Sequence, residues 1–310
     1  MPLEIKRLKI VVFAGYSCNN RCRFCVGSEK RALPEKSTGE LLREVAEARR
    51  QGAGVLELIG GEVTIRPDFL KIVAAAKKMG IQEVVTATNG RIFADKAFAA
   101  AAVKAGLDSI IFSVHGPDAG THDALTCAPG SFEQLKKGLA NLKALGFRRI
   151  NGNTTVVKQN FRRLPEIARF YAARRIRNVE YIFVDPNYGG AMSEFDELVP
   201  RISLAAPWMR KALAIGRDAG FRQWKVRYVP LCHFKGYFDQ ISEMNERRLF
   251  STQHWAPDFK NTDAIVSRQQ VARRKTERCL GCAAYKICEG IWNEYLRRFG
   301  DKELKPLKSL

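Results

Sequence analysis

The chain lacks any apolar run of 18 residues, so no segment has the length and hydropathy of a transmembrane helix. It has only 12 Pro and 24 Gly in 310 residues, which excludes a collagen-like or broadly disordered chain. The start, Met1-Pro2-Leu3-Glu4-Ile5-Lys6-Arg7, has neither the apolar stretch nor the small-residue cleavage site of a secretory signal. A reducing cytoplasm is therefore the expected location, and structural disulfides among the eight Cys are not expected. The chain is also poor in acid: Asp+Glu total 32 against Lys+Arg 52, a net charge of +20. Such a surplus attracts anions, whether nucleic acid, phosphorylated metabolites or acidic peptides. No basic tail exists, however. The cations come as dispersed pairs, for example Arg148-Arg149, Arg174-Arg175 and Arg273-Arg274, which define no dedicated partner. The rest is ordinary for a globular protein, 46% apolar and 27% charged, and long enough for a substantial core.

Two patterns alternate from the N-terminus to about residue 220. Short β-rich runs are predicted at Leu8–Ala14, Val55–Ile59, Glu83–Thr88, Ser109–Val114, Arg149–Val157 and Val179–Val184. Helices are predicted over Gly39–Gln51, Asp68–Met79, Asp95–Lys104, Phe132–Leu145, Leu164–Arg174 and Ala206–Asp218. Gly80, Gly106, Gly146 and Gly220 stand where helix C-termini want glycine, and Ser131 is a candidate N-cap. This alternation predicts βαβ units, an α/β class and a parallel sheet, either barrel-like or open. In both forms ligands gather at the C-terminal ends of the strands. After residue 220 the pattern breaks. Arg222–Val229 is a further candidate strand. The stretch from His233 to Lys275 has weak periodicity, and a cysteine-rich segment follows, which together predict a small appended unit over 221–310.

Three cysteines sit directly after the first strand: Cys18-Asn19-Asn20-Arg21-Cys22-Arg23-Phe24-Cys25, a C-x3-C-x2-C spacing. Three thiolates on one tight loop suit three irons of a [4Fe–4S] cluster and leave the fourth iron open. A structural zinc site would close four positions. A zinc knuckle or simply packed thiols are the plain alternatives.

This loop resembles the cluster motif of the radical S-adenosylmethionine (SAM) enzymes. Gly60-Gly61-Glu62-Val63-Thr64, after the second strand, resembles that family's Gly-Gly-Glu-Pro-Thr segment, with Val63 in place of Pro. Thr88-Asn89-Gly90 and Ser113-Val114-His115-Gly116 end the third and fourth strands as similar segments do in the family. The resemblance spans about residues 8–220 and implies a partial (β/α)6 TIM-type barrel. It implies that Cys18, Cys22 and Cys25 hold a SAM-binding [4Fe–4S] cluster. Phe24 would pack near adenine. Gly60, Gly61 and Glu62 would meet the methionine ammonium, with Asn89 beside them. Ser113 and Asn153 would reach the SAM carboxylate or ribose. His115 and His122 are candidates only for the cavity wall.

Cys279-Leu280-Gly281-Cys282 and Cys288 form a second group, and Cys232 is available as a fourth member. In a reducing compartment such a group reads as a metal site. The segment resembles the C-terminal auxiliary-cluster regions of radical SAM proteins. Too few cysteines remain for the seven of a SPASM domain, so the likeness is to the shorter Twitch type with one auxiliary [4Fe–4S] cluster. Structural zinc is the alternative there. Cys127 is left over as a free thiol.

The resemblance implies an oxidoreductase- or transferase-type radical SAM enzyme. An external flavodoxin- or ferredoxin-like donor would supply an electron. SAM would be cleaved to methionine and a 5′-deoxyadenosyl radical, which takes hydrogen from the substrate. The auxiliary cluster would assist an oxidation, anchor substrate or brace the fold. The barrel pattern begins close to Met1, leaving no stretch for an N-terminal peptide-recognition unit. A small metabolite, phosphorylated or nucleotide-linked, is thus the first expectation for the substrate; a peptide or protein side chain and RNA are the alternatives. A noncatalytic iron–sulfur electron carrier is the competing class. Its clusters use four protein cysteines, whereas the first loop offers three beside a Gly-Gly-Glu.

Overall fold

The computed structural model describes residues 6–310, so Met1 to Ile5, on which the export reading mainly rests, lie outside the described residues. Strands β1 (Arg7–Phe13), β2 (Val55–Ile59), β3 (Glu83–Thr88), β4 (Ser109–Ser113), β5 (Ile150–Val156), β6 (Asn178–Phe183) and β7 (Gln223–Arg227) fall within two residues of the expected bounds. All pair in parallel with their neighbours, in the order β7-β6-β5-β4-β3-β2-β1.

The helices that link the strands cover one face of the sheet. They are α1 (Thr38–Arg50), α2 (Phe69–Lys78), α3 (Lys96–Lys104), α4 (Ala119–Thr126), α5 (Ser131–Ala144), α6 (Leu164–Ala173), α7 (Gly189–Ser193), α8 (Phe195–Leu198) and α9 (Ile202–Asp218). Their starts are locally encoded: a Ser37/Glu40 capping box opens α1, and Asp95 and Asp118 cap α3 and α4. Gly80, Gly106, Gly146 and Gly220 follow α2, α3, α5 and α9 with positive φ, as the sequence predicts. Ser131 is not the N-cap of α5; Gly130 is, in a left-handed conformation. The exposed first-turn amides are taken by Asp123 of α4 instead, which accepts from Gly130 N and Phe132 N at 2.7 and 2.8 Å.

The outer face of the sheet carries the core. Ile10, Val12, Leu56, Leu58, Ile110 and Phe112 are at most 1% exposed and pack against helix residues such as Leu41, Val45, Ile72 and Leu139. Each such side chain contributes roughly 1.5–3 kcal/mol of burial. The strand period of two then turns the alternate residues to the inner face. Register follows that face around the sheet: Val11 lies opposite Glu57, Ser113 opposite Asn153, Asn153 opposite Glu180, and Ile182 opposite Arg227. Most of these inner positions are polar, unlike the outer face, and Ser113, Asn153, Glu180 and Arg227 are half-buried, so the inner face of the sheet is a polar lumen wall.

An eighth parallel strand, β8 (Phe250–Trp255), lies in the weakly periodic stretch and pairs with β1, with His254 opposite Val11. A two-residue strand, β9 (Lys260–Asn261), turns back against it. Residues 221–310 thus supply both edges of the sheet, β7 on one side and β8 and β9 on the other. Helix α10 (Ser242–Leu249) packs on both β7 and β8 and spans the gap between them. The curl is evident in the electrostatics, since Lys9 on β1 interacts with Arg227 on β7 and Glu246 on α10. No helix among the described residues is long and apolar enough to cross a membrane.

Candidate active site

The Cys18–Cys25 loop leaves β1 at the C-terminal mouth of the sheet and is held by backbone on two sides. Arg21 N and Arg23 N donate to Thr126 O and Leu125 O of α4 at 2.8 and 3.0 Å. Gly190 N donates to Cys25 O at 3.0 Å from the segment after β6. A Cβ on Gly190 would stand 1.8 Å from Arg23 O, and one on Gly189 2.3 Å from Cys25 O. Only glycines permit this approach. Sequence reasoning missed this brace, although a Gly-Gly pair just after a strand was its visible signal.

Cys18, Cys22 and Cys25 are all free and half-buried. Asn20 N donates to Cys18 Sγ at 3.3 Å, and Asn89 Nδ2 points at the same sulfur from 3.9 Å. Burial, together with the neighbouring Cys25 and Cys18 sulfurs, pushes the Cys22 thiol up to about 12. Burial raises Cys18 as well, a cost that a bound cation would offset, so the donor set of three thiols fits an iron cluster. Arg91 fixes the loop's crest through Asn20 Oδ1 at 2.9 Å and Asn19 O.

The Gly60-Gly61-Glu62 turn is packed directly under this loop. Gly61 N donates to Gly15 O at 3.0 Å and Glu62 N to Ser17 O at 2.8 Å. A Cβ at Gly61 would lie 2.1 Å from Ser17 O, and Gly60 has φ +155 with its Cβ position 2.5 Å from Gly15 O. The two glycines therefore let two backbone turns touch. Glu62 is buried, and both its oxygens are used. Oε1 accepts from Thr64 Oγ1 at 2.6 Å and Thr88 Oγ1 at 2.8 Å; Oε2 accepts from Asn89 N at 2.6 Å. Burial raises its carboxyl above the ordinary range, against those hydrogen bonds. Its place is to tie β2, β3 and the cysteine loop into one unit.

Phe24 is buried, with its ring edge-on to His115 at 4.7 Å. His115 and His122 are buried neutral imidazoles in the wall behind it. His122 Nδ1 accepts from His115 N at 3.1 Å, and His115 Nδ1 from Thr155 N at 3.3 Å. Burial lowers both, His122 to about 4. Ser113, at the end of β4, and Asn153, in the middle of β5, are cross-strand neighbours, and neither side chain has a hydrogen-bond partner among the described residues. The structure thus gathers Cys18, Cys22, Cys25, Asn89, Glu62, Gly60 and Gly61 at one edge of the mouth, Phe24 with His115 beside them, and Ser113 with Asn153 across it.

The second thiol group also assembles. Cys232, Cys279, Cys282 and Cys288 line one small cavity together with Pro230, Tyr285 and Pro306. Backbone amides point at the sulfurs: Leu231 N and Gly290 N to Cys288 at 3.5 and 3.3 Å, and Leu307 N to Cys282 at 3.3 Å. N–H groups aimed at sulfur are donors suited to thiolates that carry charge. The four thiols surround this space without meeting at the spacing of a single-ion site among the described residues. Cys127 is exposed; it follows Thr126, whose carbonyl holds the first loop, and so lies beside that group rather than the second.

A family profile described as "Radical SAM superfamily" matches residues 12–171. AdoMet-dependent heme synthase of Methanosarcina barkeri is 33% identical over 188 residues, 59% of this chain and 52% of that protein. GTP 3',8-cyclase of Marinobacter nauticus is 30% identical over 184 residues, 58% and 54% of the two chains. Mycofactocin maturase MftC of Mycobacterium tuberculosis is 32% identical over 169 residues, 52% and 42%. The matches span about half the length of these curated relatives. Among solved structures, Streptococcus suis SuiB bound to precursor peptide SuiA superposes with a TM-score of 0.69 at 14% identity, over 98% of this chain and 75% of that one. Methylornithine synthase (PylB) gives 0.58 at 13% identity, over 87% and 78%. At these identities the structural likeness speaks for the fold, a parallel-strand partial TIM barrel. The profile match, covering half of the chain with all three loop cysteines inside it, identifies this chain as a member of the radical SAM superfamily.

Proposed function

We propose that this radical SAM enzyme acts on a small polar metabolite held in the lumen and uses two [4Fe–4S] clusters. Cys18, Cys22 and Cys25 hold the first, whose open iron takes SAM, and Cys232, Cys279, Cys282 and Cys288 hold the second. When bound, the first cluster and SAM supply one-electron cleavage of the sulfonium and a hydrogen-abstracting 5′-deoxyadenosyl group. The chain's own residues position and shield. Gly60 and Gly61 present backbone at the SAM ammonium, Glu62 keeps Asn89 aimed at the loop, and Phe24 offers an apolar face to adenine. Ser113 and Asn153 present free hydroxyl and amide groups to the SAM carboxylate or ribose. In this reading residues 1–220 form the SAM-binding unit and 221–310 the auxiliary unit. The electron comes from an external flavodoxin- or ferredoxin-like donor.

The observation that carries the substrate reading is the closed, charged lumen. β8 and α10 fill the side between β1 and β7, and the inner wall carries Lys9, Glu57, Glu180 and Arg227. Such a chamber favours a compact, charged or hydrogen-bonding molecule over a long chain. The heme synthase and GTP cyclase relatives fit that class by name. A peptide substrate is the second reading, supported by the MftC maturase relative and by the fold match to peptide-bound SuiB.

The test is anaerobic reconstitution with iron and sulfide counted per chain, then reductant and SAM with 5′-deoxyadenosine assayed. About eight irons, with deoxyadenosine abolished and about four irons retained in the Cys18/Cys22/Cys25→Ala triple variant, is the expected result. Four irons in the wild type would make the second thiol group a zinc or purely structural site. Acceleration of SAM cleavage by nucleotides or sugar phosphates, and not by peptides, would favour the small-molecule class.

A further inference from the structure

A run of buried ion pairs leads from the lumen to the auxiliary cysteines. At the lumen end, Arg227 Nε lies 2.9 Å from Glu180 and its Nη1 3.0 Å from Glu246 of α10. Glu246 accepts from Arg268 at 3.3 Å. Arg268 then grips Glu289 with two bonds, at 2.7 and 2.9 Å. Glu289 is the residue after Cys288, its side chain is 2% exposed, and it also meets Arg247 at 3.0 Å and Arg273 at 3.1 Å. Arg273 closes the network by pairing with Glu243 at 2.9 Å and donating to Gly290 O. Gly290 N in turn donates to Cys288 Sγ at 3.3 Å.

Four carboxylates and four guanidiniums thus neutralise one another, and all but Glu180, Arg227 and Arg247 are nearly out of reach of water. Burying so many charges is costly, and replacing such pairs with apolar residues is often stabilising. Packing alone therefore does not explain the network. Its two ends do: one is the partly exposed Arg227–Glu180 pair on the lumen wall, 19% and 29% exposed, and the other is the residue bonded in sequence to an auxiliary cysteine. Buried charges are weakly screened, so a change at one link is felt along the run.

We propose that the Glu180–Arg227–Glu246–Arg268–Glu289 run is an electrostatic coupler. It holds Cys288 in place and makes the electron affinity of the group at the auxiliary thiols depend on charge bound in the lumen. This rests on the reading of Cys232, Cys279, Cys282 and Cys288 as a [4Fe–4S] site. Glu289 and Arg268 are positioning residues, and their charges carry a sign that a purely structural role does not.

The experiment is a reductive titration of the reconstituted holoenzyme followed by electron paramagnetic resonance. The auxiliary signal is the one that SAM does not alter. Glu289→Gln removes a negative charge and should raise the auxiliary midpoint. Arg268→Gln removes a positive charge and should lower it. Each change should reach tenfold in the oxidised-to-reduced ratio at fixed potential, about 59 mV for one electron. Arg227→Gln, at the solvated lumen end, should lower it by a smaller amount and is the deciding variant if the buried ones lose iron. Shifts of one sign in all variants, or no shift in Arg227→Gln with full iron, overturn the coupler. A wild type with only the SAM-responsive cluster overturns the auxiliary-cluster reading itself, which the iron count separates from failure of the coupler.

Discussion

Gly190→Ala tests whether the cysteine loop is positioned from behind by the segment after β6. The added Cβ would lie 1.8 Å from Arg23 O, whereas such contacts essentially never fall below 3.0 Å. The backbone at Arg23–Cys25 must therefore retreat by at least about 1.2 Å, or α7 must, with loss of the Gly190 N to Cys25 O bond. Overpacking of this kind costs about 1–3 kcal/mol, and the broken hydrogen bond about 1 kcal/mol more. The gain from removing a glycine, about 0.5–1 kcal/mol through the unfolded chain, is smaller and of opposite sign. The net loss is about 1–3 kcal/mol, which a large domain survives as a drop of a few degrees in melting temperature.

The functional effect is the larger one. A shift of about 1 Å at a reacting centre costs on the order of 10²-fold in rate. Anaerobically reconstituted Gly190→Ala should therefore form 5′-deoxyadenosine about 10²-fold more slowly than wild type, while iron at the C-terminal thiols is retained. Gly39→Ala is the control: its added Cβ meets nothing closer than 3.6 Å, so stability should hold or rise slightly and SAM cleavage should not change. Wild-type rates in Gly190→Ala would refute the argument that this glycine brace places the thiols.

Cys232→Ala should remove about four irons while 5′-deoxyadenosine formation persists; unchanged iron would take Cys232 out of the ligand set. Cys127 stands in the left-handed region at φ 48 on an exposed turn, so Cys127→Gly should keep all iron and stabilise the chain by about 0.5 kcal/mol, read as a small rise in melting temperature. His122 has its protonation lowered from 6.5 to about 4 by burial. The unfolded chain takes up a proton in that window which the folded chain refuses, so stability is whole above pH 6.5 and falls by about 3 kcal/mol toward pH 4. His122→Asn should flatten this part of the melting-temperature profile, and an unchanged slope between pH 7 and 5 would place the acid sensitivity elsewhere.

The first two-thirds of the fold was legible because each signal there is local. β-rich runs, helix periodicity and C-terminal glycines act within a dozen residues, and the strands from β1 to β7 stand where those patterns put them. The cysteine loop was legible for the same reason, since eight residues carry all three thiols. Three features were not. Helix α4 has no strong apolar stripe, and the capping of α5 by Asp123 depends on two helices meeting. β8 reads Phe250-Ser251-Thr252-Gln253-His254-Trp255, with only its first and last residues large and apolar. Its stability comes from β1, some 240 residues earlier, which no local pattern contains.

The inner face of the barrel was hidden for a related reason. Ile10–Phe13 is a continuous apolar run and Val179–Val184 is interrupted only by Glu180, yet Lys9, just before the first, and Glu180 both face the lumen. In an isolated sequence a charge inside a strand reads as a solvent-facing position on an ordinary surface. Only the curl of the sheet makes that surface a chamber, and only α10 and β8 close it. The ion pairs then follow from topology: Glu180 on β6, Arg227 on β7 and Glu246 on α10 become neighbours once residues 221–310 wrap the open side. The segment that brings the second thiol group to the protein is thus the same segment that completes the lumen. A change in that segment should therefore register at both places, which a freely appended cysteine-rich unit would not do.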